Sequence, residues 1–310
     1  MRPILSLRHL ASRLGKPISR LMEVAEEIET HYGYQVLKQR PDKVRQLRIP
    51  KAELRSLQRQ INTNILAPIA LHKAIHGGVR GCSPRSNASV HLGQPCVVNL
   101  DVRDFFPKLR HYIVYRMFRS ELGFGRDVAR LLTRLVTLDA QLPQGAPTST
   151  AIANLVLNIP VDLPLSKHAE SAAVKYTRFV DDITLSGDNP RALINAVARL
   201  LSRRRLPLYR NKANSRGKLK LQISPHSRRQ AVTGLVVNSS NGPSVPRKYR
   251  DRIRAEIHQL NRIGDRHARD AAMRSIRGKI AYIRQFNSGA AIRLQRQFES
   301  SQINQSLSGN

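Results

Sequence analysis

The sequence predicts an α+β fold that is followed by a small helical module. Three observations support this prediction. Short runs of β-type residues flank a pair of carboxylates, a mostly apolar run ends at another acid, and long stretches repeat apolar residues at helical spacing. With 310 residues, of which 41% are hydrophobic, the chain can bury the core of one large domain or of two to three small ones.

The pair of carboxylates is Asp181-Asp182. Apolar residues alternate with polar residues before the pair, starting at Val174, and again after it, starting at Ile183. This alternation predicts a strand, a tight turn and a returning strand, with both aspartates at the bend. An acid pair is conspicuous here because the chain has 53 Lys and Arg but only 21 Asp and Glu.

A further acid follows the apolar run at residues 95–100, which predicts a buried strand that Asp101 closes. Asp101 and the acid pair could converge on Mg²⁺, which prefers oxygen ligands and is usually held by one or two carboxylates plus substrate phosphates. Two such ions would activate an attacking hydroxyl and stabilise the leaving oxygen of a nucleotidyl transfer. The alternative is that Asp101 caps a turn and that the acid pair is a solvated hairpin tip.

Periodicity and composition predict the remaining elements. Helices are predicted at 4–32, 52–75 and 149–157, extended segments at 44–50 and 232–238, and a linker at 239–246. Beyond the linker we expect two helices, at 249–263 and 271–286, and then a frayed tail after Phe298. From Arg247 to Phe298 there are 14 Lys or Arg and four Asp or Glu, which favours RNA or DNA contact over a solvated helix face.

The overall charge indicates a polyanionic partner. The formal net charge is +32, and the basic residues are spread over the whole chain, which is typical of a long groove that follows a phosphate backbone. The sequence has no apolar run of 18 residues and no signal-peptide core, so no membrane partner is expected. Cys82 and Cys96 are too few for a disulfide scaffold or a Cys-based zinc cluster, and we expect a reducing, cytoplasmic location.

Five sequence elements, taken in order, resemble those of reverse transcriptases. They are NAxxH at 87–91, NLDVRDFFP at 99–107, LPQGAPTS at 142–149, FVDD at 179–182 and VTG at 232–234. The first and the last resemble elements of bacterial retron reverse transcriptases, and the resemblance covers about residues 20 to 300. It implies a right-hand polymerase with N-terminal helices and fingers at 1–95, a palm with an interleaved fingers segment at 96–240, and a basic helical thumb at 241–310.

The resemblance also implies a role for each matched acid. Asp101, Asp181 and Asp182 would be the catalytic carboxylates of the palm. They would hold two Mg²⁺ ions, for which Mn²⁺ can substitute, with Asp101 and Asp181 as the main ligands and the carbonyl of Val102 assisting. Phe179 stands where the family usually has Tyr, which removes a hydroxyl but keeps the ring.

Three matched residues are expected to contact the incoming nucleotide. Phe106 would exclude a ribose 2′-hydroxyl, although a core aromatic is the alternative, and Gln144 would lie against the nucleotide. Arg45 would grip the triphosphate, for which its forked guanidinium is suited, unless it is a surface arginine. Three lysines compete for the role of proton donor to the departing pyrophosphate: Lys212, Lys218 and Lys220.

The two retron-like elements supply the candidates for RNA contact. Asn87 and His91 either contact RNA or pin their loop to the palm. Val232, Thr233 and Gly234 either contact primer or template or serve in packing.

The implied function is that of a retron-type reverse transcriptase. It would copy part of a cognate structured non-coding RNA into branched, RNA-linked single-stranded DNA (msDNA), priming from a 2′-hydroxyl of that RNA. The chain is expected to end after the thumb, so a host RNase H would act in trans, and a separate effector would serve in defence against phage. Two alternatives are another bacterial reverse transcriptase, of the diversity-generating or abortive-infection type, and a catalytically inactive RNA-binding protein. The NAxxH and VTG elements argue against the first, and the three aspartates argue against the second.

Overall fold

Helices and short strands alternate along the chain. The computed structural model describes residues 2–40, 43–209 and 221–308, with all side chains in these ranges except those of 37–40, 43–46, 261 and 302–308. The strands in these ranges are β1 (Tyr32–Arg40), β2 (Lys43–Pro50), β3 (Cys96–Asp101), β4 (Lys175–Phe179), β5 (Asp182–Gly187), β6 (Gln222–Pro225), β7 (Ala231–Val232) and β8 (Leu235–Val236). The α-helices are α1 (Leu7–Leu14), α2 (Ile18–Glu26), α3 (Ala52–Ile61), α4 (Pro84–Ser89), α5 (Phe105–Lys108), α6 (His111–Arg116), α7 (Arg126–Val136), α8 (Ser149–Leu157), α9 (Leu163–Ser171), α10 (Ile194–Ser202), α11 (Arg247–Gln259), α12 (Arg266–Arg284) and α13 (Ser288–Ser308).

The chain forms two compact units, and each unit is built from two separate stretches. The first unit comprises Met1–Ser83 and Val98–Ile223, and the second comprises Pro84–Val97 and Ser224–Asn310. The predicted boundaries at 95/96 and 240/241 therefore do not coincide with the ends of these stretches. The division into fingers, palm and thumb stays a prediction.

The main sheet has the strand order β4-β5-β3-β6. Strands β4 and β5 are antiparallel from Lys175 opposite Ser186 to Phe179 opposite Asp182, which leaves only two residues in the turn. This confirms the predicted hairpin at the acid pair. Strand β3 confirms the predicted buried strand that ends at Asp101, and the Thr184 hydroxyl of β5 donates to Asn99 Oδ1 of β3 at 3.2 Å.

A second hairpin and a long helix precede this sheet in the chain. Strands β1 and β2 are antiparallel, which confirms the extended segment predicted at 44–50. Helix α3 continues through a π-helical turn to Leu66 and ends there, so the predicted helix at 52–75 is wrong beyond that residue. Pro68 has no N–H to continue the hydrogen-bond ladder, and Ile75 instead forms a parallel bridge with Arg178.

Helix α8 is the core helix of the first unit. Its residues from Ile152 to Leu157 are all buried, as expected for a helix that is surrounded by protein on every side. Asn154 is the polar exception within this stretch, with no exposed surface. The helix predicted at 149–157 is therefore confirmed, and it carries an amide into the interior.

The second unit packs three helices against the small β7–β8 hairpin. Its core is formed by residues of both stretches of chain: Ala88, Val97, Val232, Leu235, Val237, Val245, Ile253, Ile257, Leu260, Ile276, Ile280, Ile283, Ala290, Ala291, Leu294 and Phe298. Helices α11 and α12 confirm the two predicted helices, with Asp265 capping α12 by accepting from Ala268 N–H at 2.6 Å. Helix α13 runs to Ser308, so the expected frayed tail after Phe298 is wrong.

The strand predicted at 232–238 is also wrong, because a turn divides it. Thr233 and Gly234 have φ angles of 46° and 84° and join β7 to β8 as a two-residue loop. Positive φ at both central residues is typical of the type I′ turn, whose twist matches that of the flanking strands.

Within the described ranges, no helix is both long enough and apolar enough to cross a membrane.

Candidate active site

One cleft in the first unit brings together the predicted catalytic acids and two of the residues expected to contact the nucleotide. Its volume is about 870 Å³. Six of the residues that line it are predicted site residues: Asp101, Val102, Phe106, Gln144, Asp181 and Asp182. The other lining residues are Leu47, Asp104, Phe105, Pro107, Gly145, Ala146, Ser149, Thr150 and Tyr209. Sequence segments that lie far apart along the chain therefore share one cavity.

Backbone hydrogen bonds hold the two acid-bearing segments side by side. The N–H of Val102, which follows Asp101, donates to the carbonyl of Asp181 at 3.2 Å. On its other side, the Asp101 carbonyl accepts from the N–H of Tyr209 at 3.1 Å. The end of β3 is thus held between the hairpin turn on one side and the segment that leads to Tyr209 on the other. Both hydrogen bonds join main-chain atoms only.

The oxygen donors in this cleft fit a magnesium site that substrate completes. No group of three or more His, Cys, Asp or Glu that could hold a metal occurs among the described residues. Asp101 and Asp181 nevertheless lie on adjoining segments and line the same cleft. Two carboxylates are a usual protein contribution to Mg²⁺, because substrate phosphates and water supply the remaining oxygens. Asp101, Asp181 and the Val102 carbonyl are the groups that would hold it, with Asp182 at the rim.

An aromatic pair forms the next part of the cleft wall. Both residues line the cleft, but Phe105 is only 3% exposed and packs into the core, whereas Phe106 is half-buried. Their rings meet edge to face with centroids 5.5 Å apart. Gln144 enters the wall from the loop before α8, where its carbonyl accepts from the N–H of Arg48 at 3.1 Å.

The predicted phosphate and proton-transfer residues are described only in part. Arg45 lies on β2 opposite Leu37, but its side chain is outside the described residues, as are Lys212, Lys218 and Lys220 entirely. The sequence reasoning did not single out Arg48. Its guanidinium pairs with Asp139 at 3.0 Å and stacks 4.0 Å from the ring centre of Tyr34.

The two retron-like elements come together in the second unit. The hydroxyl of Thr233 donates to the carbonyl of Pro84 at 2.9 Å, which ties the β7–β8 turn to the start of α4. The side chains of Asn87, His91 and Val232 are buried, Thr233 is half-buried and Gly234 is exposed. Protein thus encloses the first three side chains, and the turn is the part of these elements that a partner could reach, so that RNA contact stays a prediction for all five residues.

A buried ion pair lies directly behind the acid hairpin, and the sequence reasoning missed it. Neither Arg178 nor Asp162 has any exposed side-chain surface. Arg178 donates through Nε and Nη2 to the two carboxylate oxygens of Asp162, at 2.8 and 2.7 Å. The Tyr176 hydroxyl donates to the same carboxylate, and Arg178 Nη1 donates to Asn154 Oδ1 at 2.9 Å.

The charge state of this cluster follows from its surroundings. Burial alone would lower the pKa of the Arg178 guanidinium, but the charge and hydrogen bonds of Asp162 outweigh it and raise that pKa. Burial and the negative charge of Asp162 raise the pKa of the Tyr176 phenol well above its usual value. The only sequence signal was a charged residue within an otherwise apolar segment, at Asp162 between Val161 and Leu163.

Comparison with known proteins identifies the family. The sequence model of the family described as reverse transcriptase (RNA-dependent DNA polymerase) matches residues 36–214. The retron Mx65 reverse transcriptase of Myxococcus xanthus is 33% identical over 287 residues, which cover 86% of this chain and 64% of that protein. The retron Ec86 reverse transcriptase of Escherichia coli is 34% identical over 228 residues, which cover 73% of this chain and 69% of that protein. The retron Se72 reverse transcriptase of Salmonella heidelberg is 29% identical over 277 residues, which cover 86% of this chain and 71% of that protein.

The chain thus spans less than two thirds of the Mx65 protein and slightly more than two thirds of the other two. The family match confirms the predicted α+β, right-hand polymerase fold class and supports RNA-directed DNA polymerase activity, with divalent-metal nucleotidyl transfer and a template RNA as its general requirements. Because the family model covers more than half of the chain and a retron enzyme is 34% identical over most of its length, the chain belongs to the reverse transcriptases, and among them to the bacterial retron reverse transcriptases.

Proposed function

We propose that this chain is the polymerase of a retron, and that it copies part of a cognate structured RNA into msDNA. The observation that carries the proposal is the single cleft that Asp101, Asp181, Phe106 and Gln144 line together. These are the acids, the aromatic wall and the amide that a template-directed DNA polymerase of this family would use. Family membership supports the RNA template.

The acids would carry the chemistry of nucleotide addition. Divalent ions, when bound, would activate the attacking hydroxyl and neutralise the charge that develops on the leaving pyrophosphate. Asp101 and Asp181 would supply the protein oxygens that hold these ions. The main-chain hydrogen bond from Val102 to Asp181 keeps the end of β3 beside the hairpin turn. Asp182 lies at the exposed end of the hairpin and would complete the negative charge of the site.

The wall of the cleft would select the nucleotide. Phe106 presents a partly exposed ring to the space in which a sugar would lie, and its neighbour Phe105 anchors that ring from the core. An aromatic wall at the sugar admits deoxyribose and leaves no room for a 2′-hydroxyl. Gln144 would bound the nucleotide from the opposite loop, and Arg45 would contact its triphosphate.

The wider retron function follows from the family and is part of the proposal. Synthesis would begin at a 2′-hydroxyl of the cognate RNA and give a branched RNA–DNA product in the bacterial cytoplasm. A host RNase H would remove the copied RNA strand, and a separate effector protein would act with the msDNA in defence against phage. Sequencing the nucleic acid that co-purifies with the protein tests this directly, because a branched RNA–DNA molecule of one defined sequence is expected. A mixture of cellular RNAs without DNA would contradict the retron proposal.

The catalytic assignment is tested by Asp181→Asn and, separately, by Asp101→Asn. Each change removes a metal-facing charge without removing volume, so we expect DNA synthesis to fall by at least roughly 100-fold, while RNA binding and the melting temperature stay near wild type. The measurement is primer extension on an annealed RNA template with Mg²⁺.

Asp188→Asn is the matched control. Asp188 is exposed just beyond the end of the same hairpin and is not among the residues that line the cleft. This variant should extend primers like the wild type. An Asp181→Asn protein with near wild-type extension would show that the acid pair is not the catalytic site.

A further inference from the structure

The ion pair behind the acid hairpin is joined to the hairpin turn itself. Arg178 Nη1 donates to the carbonyl of Val180 at 2.8 Å, in addition to its bond with Asn154. Val180 directly precedes Asp181 and is the first of the two turn residues. One buried guanidinium therefore holds Asp162, Asn154 and the peptide group from which Asp181 projects.

This pair is poorly explained by a need for stability. Taking two charges out of water is costly, and apolar residues of similar volume often replace a buried ion pair with no loss of stability. What apolar residues cannot supply is a set of directed bonds. The planar fork of Arg178 satisfies two carboxylate oxygens and a carbonyl at the same time, a geometry that lysine cannot reproduce.

The turn needs such support because its backbone is strained. Val180 has a φ of 60°, in the left-handed region that a β-branched residue rarely adopts. Strained conformations of this kind persist only where the surroundings enforce them, and they concentrate at functional sites. The bond from Arg178 to the Val180 carbonyl is one such constraint.

Gly77 supplies a second constraint from another part of the chain. A Cβ atom at Gly77 would clash with the backbone nitrogen of Val180, so only glycine allows this approach. Asn154 Nδ2 donates to the Gly77 carbonyl at 2.8 Å, and the same side chain accepts from Arg178. The turn is thus held by a connected buried network that includes helix α8.

We propose that Arg178 is a positioning residue for catalysis, which sets the location of the Asp181 carboxylate in the cleft through the Val180 peptide. The inference rests on the proposed function, in which Asp181 holds the metal. Arg178 itself is separated from the cleft by the turn and contacts no substrate in this role. This positioning role predicts that apolar residues can replace the network without loss of the fold, but that the rate of nucleotide addition then falls.

The test is a triple variant, Arg178→Met with Asp162→Leu and Tyr176→Phe, which replaces the charged and hydroxyl groups by apolar groups of similar volume. We expect kcat for nucleotide addition to fall about 100-fold while KM for the nucleotide changes less than about threefold, because misplacement of a catalytic group affects the transition state rather than binding. The melting temperature should fall only moderately, because Asn154 Oδ1 and the Val180 carbonyl lose their donor while the buried charges are removed. RNA affinity should stay near wild type. Mn²⁺ binding to the protein–primer–template complex, followed by electron paramagnetic resonance, should weaken.

A matched control replaces another ion pair of the same unit, the buried Arg204 with the largely buried Glu121, whose charged atoms are 2.7 Å apart. Arg204→Met with Glu121→Leu should leave kcat and Mn²⁺ binding unchanged. A folded triple variant with kcat within about threefold of wild type would overturn the positioning role. If the triple variant does not fold, Arg178→Lys decides, since it keeps the charge but loses the fork, and a wild-type kcat for it would overturn the inference equally.

Asp181→Asn is measured in the same series to separate two failures. If Asp181→Asn is active, the proposed catalytic site is wrong. If Asp181→Asn is inactive while the Arg178 variants keep wild-type kcat, only the positioning role is wrong.

Discussion

At the scale of single residues, neighbouring side chains of the same type have different tasks. Phe105 and Phe106 are adjacent and both line the cleft, yet the first is almost fully buried and the second presents a half-exposed ring. Asp181 and Asp182 are likewise adjacent, but one occupies the turn and the other begins β5. The difference arises because successive residues at a helix start or in a hairpin point in different directions. Identity of residue type alone therefore does not assign a role.

Phe106→Ala should relax the discrimination between deoxynucleotides and ribonucleotides. If the ring occupies the space of a 2′-hydroxyl, removing it should lower the ratio of dNTP to NTP incorporation by roughly 10- to 200-fold, the range for one steric group in a pocket. The ratio is measured by single-nucleotide extension on one template. Phe106→Tyr, which keeps the ring, should keep the ratio. An active Phe106→Ala protein with an unchanged ratio would make Phe106 a packing residue only.

At the scale of elements, the β4–β5 and β7–β8 hairpins meet their backbone requirements in different ways. The β7–β8 turn has Gly234 at a φ of 84°, which costs glycine little, and the neighbouring Thr233 is tied by its hydroxyl to Pro84. The β4–β5 turn instead places valine at a positive φ and depends on Arg178 and Gly77. A turn made of favourable residues folds locally, whereas the strained turn requires the surrounding core.

Gly234→Ala should destabilise the second unit. A Cβ at a left-handed φ costs about 1–2 kcal/mol, although the space around Gly234 is open. Gly278→Ala is the matched control, because Gly278 lies inside helix α12, also in open space, where alanine should stabilise by up to about 1 kcal/mol. Thermal unfolding of the full chain should therefore move in opposite directions for the two variants. A Gly234→Ala protein that melts at or above the wild-type temperature would contradict the I′ turn assignment.

At the scale of the whole molecule, charge and chain topology have separate consequences. The net charge of +32 favours a nucleic-acid partner along much of the surface, and such phosphate contacts give salt-dependent affinity without sequence preference. If the chain copies one cognate RNA, as proposed, loop bases or RNA shape would have to supply that selection. The second unit is the candidate for that selection, because it combines the basic C-terminal helices with the two retron-like elements.

Exchanging the second unit for that of a related retron enzyme should redirect which structured RNA is copied. The exchange must include both stretches, 84–97 and 224–310, because Ala88 and Val97 belong to the same core as Val232 and the C-terminal helices. Activity on a generic annealed primer–template should largely survive, and the cognate RNA of the donor enzyme should become the preferred template. The readout is the sequence of the DNA made from a mixture of both RNAs.

An exchange of 247–310 alone serves as the control for the boundary. It leaves Ala88, Val97 and Val232 to pack against foreign helices, so a lower melting temperature is expected. If the complete exchange folds, is active and still copies only the original RNA, RNA selection belongs to the first unit.

Local sequence patterns were sufficient to predict many of the helices and strands of this protein. The acid hairpin, the strand that ends at Asp101 and the helices at 149–157, 249–263 and 271–286 follow from alternation and helical spacing, which depend only on near neighbours in the chain. The order of the family motifs, which can be read from the sequence alone, assigned Asp101, Phe106, Gln144 and Asp181 to one site. These four residues line one cleft.

Contacts between residues far apart in the chain determine the features that the sequence did not predict. Arg178 with Asp162 and Gly77 with Val180 form pairs that no local rule connects, because each depends on which segments the core brings together. The same reason explains the unit that joins 84–97 to 224–310, where packing rather than composition sets the boundary. Burial is a property of the assembled fold, so a charge that is solvated in one chain position and buried in another looks the same in sequence.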